Sequence, residues 1–338
     1  MDDKIAQALL SWHDANKRDL PWNGEKDPYR IWLSEIMLQQ TRTETAKGYY
    51  HRFLEAFPDV FALAEAEEEK VLKCWEGLGY YSRARNLLKT AKIVARERSG
   101  AFPDTVEGLK ALPGIGEYTA GAIASVAYGR AVPSVDANQQ RAIARLFAIR
   151  EDVSSAAGRA RVKAAAMQMI DPNRPGDFNH ALMGLGAMVC LPKPKCDICP
   201  VVSYCEGKRL GIAEELPVMP EKRQRRVEHR AVAVVFSRGR VLLLKRTGKG
   251  MLQGMFEFPN FLDAHSTEDV AEALAEIGVK ARFEKRLTDA KHIFTHVEWH
   301  MTGYLFCATE TGNLPFYTKE EAQHLAIPSA FRAYREFI

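Results

Sequence analysis

The chain has 338 residues, 46% of them hydrophobic and 27% charged, with a formal net charge of +4. This composition is that of a globular protein and excludes collagenous, low-complexity and disordered classes. The length is more than one hydrophobic core usually organises, so two domains are expected, and the mild positive charge permits a nucleic-acid partner without requiring one.

The first stretch, MDDKIAQALLSWHDANKRDLPW, is amphipathic and acidic at its head and has no signal-peptide core. No apolar run approaches membrane-spanning length, so a cytoplasmic protein, nucleoid-associated if it binds DNA, is expected, with no membrane partner. Period-3.6 apolar spacing recurs in IAQALLSW, YRIWLSEIMLQQT, KGYYHRFLEAF, EEKVLKCWEGL and RARNLLKTAKIVARERSG. It predicts helices, interrupted at Pro21, Pro58, Gly77 with Gly79, Gly100 and Pro103. Glu35 sits in a segment apolar around most of its circumference, which predicts burial. A carboxylate there is either paired or holds its proton near neutral pH as a general acid, and the segment alone leaves both open. Gln39, Gln40 and Thr41, with Leu78, Tyr80 and Tyr81 of GLGYYSRARN, are polar and aromatic groups at helix ends. They suit ordinary packing or a wedge in a base stack.

Residues 112–146, LPGIGEYTAGAIASVAYGRAVPSVDANQQRAIARL, read as a turn, a helix of small side chains, a link and a second helix. Pro113, Gly114 and Gly116 make a tight hairpin. A hairpin opening into a helix aims backbone N–H groups outward, where the helix dipole favours an anion such as phosphate, although most such turns bind nothing. Asp136, just before an amphipathic run, reads first as an N-cap.

Of six cysteines, Cys74 and Cys307 stand alone and read as packing residues. Cys190, Cys196, Cys199 and Cys205 form C-x5-C-x2-C-x5-C, which fits a [4Fe–4S] cluster or a structural zinc. Zinc sites more often use two separated C-x2-C pairs, so the single pair here favours the cluster. Lys193, Lys195, Lys208 and Arg209 place positive charge around the loop, for phosphate or for solubility. Two prolines and the basic run Lys222, Arg223, Arg225 and Arg226 mark a linker over residues 217–228. Beyond it the period becomes two. AVAVVFSRGRVLLLKR reads as two strands joined at residues 237–239, followed by strands in FEFPNF, ARFEKRL and VEWHMTGYLFC. With helices over 267–277 and near the C-terminus, residues 229–338 form an α+β domain.

The segments LPWNGEKDPYRIWLSEIMLQQT, GLGYYSRARNL, LPGIGEYTAGAIASVAYG, VDAN, FNHALMGLGAMVC and the cysteine loop occur in the order found in adenine DNA glycosylases, the MutY family. That family lies in the helix-hairpin-helix superfamily with endonuclease III. Through LLLKRTGKGMLQGMFEFPNF and HIFTH, the second half resembles the family's Nudix-like lesion-recognition domain. The resemblance implies a multidomain protein. An all-α helix-hairpin-helix glycosylase domain covers 1–216, with an iron–sulfur loop at 190–205, and a smaller α+β Nudix-like domain follows the linker.

The implied activity is flipping and hydrolytic removal of adenine mispaired with 8-oxoguanine or guanine in double-stranded DNA, by a monomer. Glu35 would protonate the adenine and Asp136 would stabilise the sugar cation, with Tyr118 and Asn138 orienting them. Arg18, Trp22 and His180 would line the adenine pocket. Gln40, Thr41, Leu78 and Tyr80 would serve as the wedge, and Gly114 and Gly116 would contact phosphate. Phe294, Thr295 and His296 would read the opposite base, and the four clustered cysteines would hold [4Fe–4S]. Tyr118 stands where lyase-active relatives place lysine, and a phenol forms no Schiff base, so a monofunctional enzyme is expected.

The chain departs from the family pattern at four places: a first cysteine spacing one residue short, Ala137 for glycine, His180 for Glu or Gln, and Thr295 for serine. NFLDAHSTEDVAEALAEIGV keeps only Glu276, Ile277 and Gly278 of a Nudix box and lacks its Arg-Glu step, which points to binding without nucleotide hydrolysis. The competing readings are a thymine or uracil mismatch glycosylase, a non-catalytic iron–sulfur DNA-binding protein and a nucleotide hydrolase. Glu35 with the Nudix-like half opposes the first, the two carboxylates the second, and the broken box the third.

Overall fold

The computed structural model describes residues 2–220, 224–248, 250–264 and 266–338, and its contacts divide the chain into two bodies. The first comprises the described residues up to 65 and from 86 to 220, and is helical. Asp27 caps the helix Pro28–Leu38 by accepting from the Tyr29 amide at 2.9 Å, and Pro28 fills its first turn, where no helical donor is missed. Tyr29, Ile31, Trp32, Leu33, Ile36 and Met37 are all buried, so this helix is a core element on nearly every side. It packs against the helix Glu117–Tyr128. That helix is built from small residues because another chain segment crosses it closely. A β-carbon added at Gly121 would lie 2.4 Å from the Pro133 carbonyl oxygen. A second core joins Leu9, Ile143, Phe178 and Leu182 from the helices Asp2–Asn16, Ala137–Leu146 and Pro175–Met188.

The second body contains residues 66–85 and the described residues from 224 onward. Its strands are β1 (Arg226–Ser237), β2 (Arg240–Leu242), β3 (Leu244–Lys245), β4 (Phe256–Glu257), β5 (Asn260–Leu262), β6 (Lys280–Arg286), β7 (Ala290–Ile293), β8 (Val297–Glu310) and β9 (Phe316–Tyr317). The main sheet runs β6-β8-β1-β2-β9, with β5 on β1 and β7 on β8, while β3 and β4 pair separately. β1 and β8 are parallel, from Arg226 opposite Val297 to Phe236 opposite Cys307, and the other pairs are antiparallel. Arg238 and Gly239 turn β1 into β2 with φ of 49° and 75°, the left-handed pair that suits a tight hairpin. Ala231, Ala233 and Val235 share a core with Val270 and Leu274 of the helix Thr267–Glu276, whose N-terminus Ser266 caps. An aromatic cluster of Phe258, Trp299, Phe331 and Tyr334 forms elsewhere in this body.

Several sequence expectations need adjusting. β1 begins at Arg226, inside the segment read as linker, because its backbone pairs with the start of β8. Lys222 and Arg223 of the basic run lie outside the described residues. The C-terminal helix is 3-10 (Ser329–Phe337), and HIFTH supplies an unforeseen strand, β7, and the turn from it into β8. Cys307 is exposed on β8 and is not a packing residue. Residues 66–85 associate with the second body. The Glu76 carboxylate accepts from the Ile327 amide at 3.2 Å and from the Arg335 guanidinium, and Lys73 Nζ donates to the Leu325 carbonyl at 3.0 Å. No helix among the described residues is long and apolar enough to cross a membrane.

Candidate active site

The hairpin at 112–116 is fixed from within the first body. Thr90 Oγ1 donates to the Pro113 carbonyl at 2.8 Å. Gly114 has φ of 76° and approaches Asn86 so closely that a β-carbon would lie 2.6 Å from the Asn86 Cβ. Gly116 caps the helix Glu117–Tyr128 without a side chain, and a β-carbon there would meet nothing within 4 Å. The helix therefore presents backbone donors at an open face, a setting suited to an anion.

Glu35 lies in the middle of the Pro28–Leu38 helix and is 4% exposed. Burial pushes its carboxyl up to about 7, the neighbouring Tyr118 phenol pulls the other way, and the charge of Asp136 adds to the rise, while the Tyr118 hydroxyl donates to Met183 Sδ at 3.8 Å. Its Oε2 is buried with no hydrogen-bonding partner. A buried acid with an unused oxygen is a group awaiting a partner. Asp136 caps Ala137–Leu146 in a reciprocal box. Its Oδ1 accepts from the Gln139 amide at 2.7 Å, and the Asp136 amide donates to Gln139 Oε1 at 2.9 Å. The N-cap reading and the proximity to Glu35 therefore hold together. Burial raises the Asp136 pKa, opposed by hydrogen bonds from Gln139 and from Asn138, whose Nδ2 lies 3.2 Å from Oδ2. Ala137 is exposed, so its β-carbon costs nothing there. Tyr118 is pushed well above its ordinary value by burial and by both carboxylates, and stays a neutral phenol.

Two arginines that the sequence reading passed over organise the far side of Asp136. Arg141 donates from Nη2 to Asn138 Oδ1 at 3.0 Å and to the Gly186 carbonyl at 2.7 Å, and from Nε to the Cys190 carbonyl at 2.8 Å. Arg145, buried, donates to the Leu216 and Pro192 carbonyls at 2.9 and 2.7 Å and to Cys190 Sγ at 3.5 Å. Their only sequence signal is spacing, one and two turns beyond Asn138 on the same helix. Cys190, Cys196, Cys199 and Cys205 line one cavity together with Arg145, Lys195 and Lys208. Burial pushes the Cys199 thiol up to about 11, and the neighbouring cysteines add to it. No three His, Cys, Asp or Glu side chains among the described residues stand close enough to hold a single metal ion.

Of the residues expected around adenine, His180 is pushed down to about 4 by burial and then by His13, so its imidazole is neutral at pH 7. Trp22 is buried edge-on against Tyr50 at 5.4 Å, and Arg18 is exposed. Gln40 is exposed with φ of 57°, and Thr41 follows it at the end of the Glu35 helix.

In the second body, Leu78 is buried and Tyr80 is 45% exposed, at φ of 48°. The turn carrying them is tied at several points. Arg83 donates to the Leu78 and Gly79 carbonyls at 3.1 Å each and lies over the rings of Trp75 and Tyr80. Trp75 Nε1 donates to the Gly79 carbonyl at 3.1 Å, and the Gly77 amide donates to the Tyr81 hydroxyl at 3.1 Å. At the turn between β7 and β8, Phe294 stacks edge-on against Trp299 at 4.8 Å and His292 at 4.6 Å, leaving Thr295 and His296 exposed.

A family model described as HhH-GPD superfamily base excision DNA repair protein matches residues 33–168, the stretch that holds Glu35, the hairpin and Asp136. A NUDIX domain model matches residues 231–336. A solved structure of a thermostable thymine-DNA glycosylase is similar at 26% identity and a TM-score of 0.56, over 62% of this chain and 97% of that one. The class is that of helix-hairpin-helix DNA N-glycosylases. The chain is 35% identical over 95% of its length to an adenine DNA glycosylase of Arabidopsis thaliana, and 34% identical over 97% to one of Rattus norvegicus. It spans 60% of the first relative's length and 77% of the second's. It belongs to the adenine DNA glycosylase family.

Proposed function

We propose that the protein hydrolyses the N-glycosidic bond of adenine mispaired with 8-oxoguanine or guanine in double-stranded DNA. The observation that carries this reading is Glu35: a buried carboxyl protonated to about pH 7, with an unpartnered oxygen, beside a second carboxylate. Glu35 gives its proton to a purine ring nitrogen, so that the base leaves neutral. Asp136 faces the sugar cation left behind, and water completes the hydrolysis. Tyr118 holds Glu35, and Asn138 holds Asp136 Oδ2. The neutral His180, with Trp22 and Arg18, lines the adenine pocket. Gln40, Thr41, Leu78 and Tyr80 fill the space left by the flipped base, and Gly114 and Gly116 hold a phosphate. Phe294, Thr295 and His296 read the base opposite.

Cys190, Cys196, Cys199 and Cys205 hold a [4Fe–4S] cluster in this reading, which when bound cross-links the loop through four iron–thiolate bonds. Thiolates on separate irons stand farther apart than the about 3.8 Å edge of a zinc–thiolate tetrahedron. Four thiols that line one cavity, with a single C-x2-C pair among them, suit the cluster.

Base release from duplexes with adenine opposite 8-oxoguanine, guanine and cytosine, and with thymine or uracil opposite guanine, tests the proposal. The expected order is adenine opposite 8-oxoguanine, then opposite guanine, with the remainder at background. Release of thymine or uracil as the main activity would favour the thymine-glycosylase likeness instead. A further result concerns Tyr118. Borohydride added during turnover is expected to trap no protein–DNA adduct with the wild type, because no lysine occupies that position. An adduct in high yield would contradict a monofunctional mechanism.

A further inference from the structure

Tyr118, in the first turn of the helix Glu117–Tyr128, stands beside both carboxyls of the site, Glu35 and Asp136. Its hydroxyl proton goes to neither. It is directed at Met183 Sδ, 3.8 Å away, on the helix Pro175–Met188. Met183 is half-buried and lies one turn beyond His180, so the two share a face of that helix. Its thioether is a weak acceptor and has no proton to give. The titratable groups that bear on Glu35 are Tyr118, from the helix packed against its own, and Asp136, while Glu35 Oε2 has no hydrogen-bonding partner.

A phenol has one proton, and the direction of that proton decides what the oxygen shows its other neighbours. Turned toward Glu35, it steadies the carboxylate and lets the acid ionise at lower pH. Turned toward sulfur, it leaves the phenol's lone pairs facing the carboxyl, where they suit a protonated acid and oppose an ionised one. We propose that Met183 is a positioning residue for the general acid: its sulfur holds the Tyr118 proton away from Glu35, so that Glu35 keeps its own. This rests on the proposed acid role of Glu35. The device needs only rotation of one O–H bond. Once Glu35 has given its proton to the leaving base, a carboxylate is left in a buried place, which is costly without a donor. The Tyr118 hydroxyl then turns from sulfur to the new anion, because a charge-assisted bond is stronger than the neutral one it leaves. A weak acceptor suits this exchange, since a strong one would not release the proton.

The test is the pH dependence of single-turnover adenine release by the full-length protein. Met183→Leu and Met183→Ile keep apolar bulk and remove the acceptor. Without it the phenol turns to the carboxylate, which then ionises more readily. Both variants are expected to move the upper limb of the pH–rate profile, near pH 7 in the wild type, down by about half to one unit, the worth of one hydrogen bond. The ratio of the rates at about pH 5.5 and about pH 8 then rises about threefold to sevenfold over the wild-type ratio. A loss of packing alone lowers both rates and leaves their ratio in place. In a Tyr118→Phe background, the Met183 substitutions are expected to leave the limb where Tyr118→Phe puts it. An unmoved limb in both Met183 variants overturns the proposal. So does a shift of equal size in the Tyr118→Phe background, which means that Met183 acts on Glu35 through packing and not through the phenol. A wild-type rate that does not fall through pH 7 overturns the acid role of Glu35, and the inference with it.

Discussion

Glu35→Gln is expected to yield a folded protein that binds its DNA, fails to release adenine, and is more stable than the wild type in mildly alkaline solution. The loss of activity follows from the acid role proposed for Glu35. A positioned general acid contributes about 10²–10⁴-fold, and glutamine matches the shape of the acid without a proton to give. The gain in stability follows from the same burial. The folded protein keeps the Glu35 proton up to about pH 7, whereas the unfolded chain releases it near 4.5. Between these values the native state binds more protons, so stability falls as pH rises, and the cost is complete above pH 7. At about 1.4 kcal/mol per unit this amounts to about 3 kcal/mol. Glutamine cannot ionise and escapes that cost. Denaturant unfolding at pH 8 should show the variant more stable, and at pH 4 the difference should vanish. Equal stability at pH 8 would mean that the carboxyl is not held protonated, and the acid role would lose its physical basis. In the wild type, the single-turnover rate should fall as pH rises through 7, since only the protonated acid serves.

The residues behind this result were legible in the sequence to different degrees. The burial of Glu35 could be read from apolar neighbours on nearly every side of its helix, and the structure shows those neighbours buried. The close crossing at Gly121 was legible in the run of small residues. Both are local patterns with a fixed period. Asp136 was readable as a cap, because a capping box is written within four consecutive residues. What could not be read was anything that depends on where distant segments meet. Arg141 and Arg145 look like ordinary basic residues on an amphipathic helix until the cysteine loop folds against them. The association of residues 66–85 with the second body rests on Glu76 and Lys73 reaching main-chain groups about 250 positions away. The start of β1 was mistaken for linker because a basic, proline-flanked run carries no trace of its partner strand. The contact between the Tyr80 hydroxyl and Thr295 Oγ1, 2.5 Å apart, is of the same kind. Each turn was singled out by composition, but their meeting was not written in either.

Asp136→Asn and Asp136→Ala together should separate two jobs done by one side chain. As a cap, Asp136 satisfies the Gln139 amide, and asparagine does this about as well because its side-chain carbonyl also accepts. Alanine leaves that amide unsatisfied, at a cost of about 1 kcal/mol. As a charge in the proposed mechanism, Asp136 faces the developing sugar cation in a partly buried setting, where a fixed negative group is worth far more than in water. Asparagine keeps the shape and loses the charge. The expected result is therefore a rate about 10³-fold below wild type in both variants, on a scale typical of preorganised electrostatic groups, with unfolding stability lowered only in the alanine variant. Equal rates in wild type and Asp136→Asn would reduce the residue to its cap. The contrast with Glu35 explains why one site needs two carboxyls. Burial raises both, but at Asp136 the helix amide and Asn138 Nδ2 oppose it with bonds to the ionised form, while Glu35 has the Tyr118 phenol and an oxygen with no partner. Their charges repel, so ionisation of the better-solvated Asp136 favours keeping the proton on Glu35. Removing the Asp136 charge should then lower the Glu35 pKa, moving the upper limb of the pH–rate profile to lower pH in whatever activity Asp136→Asn retains.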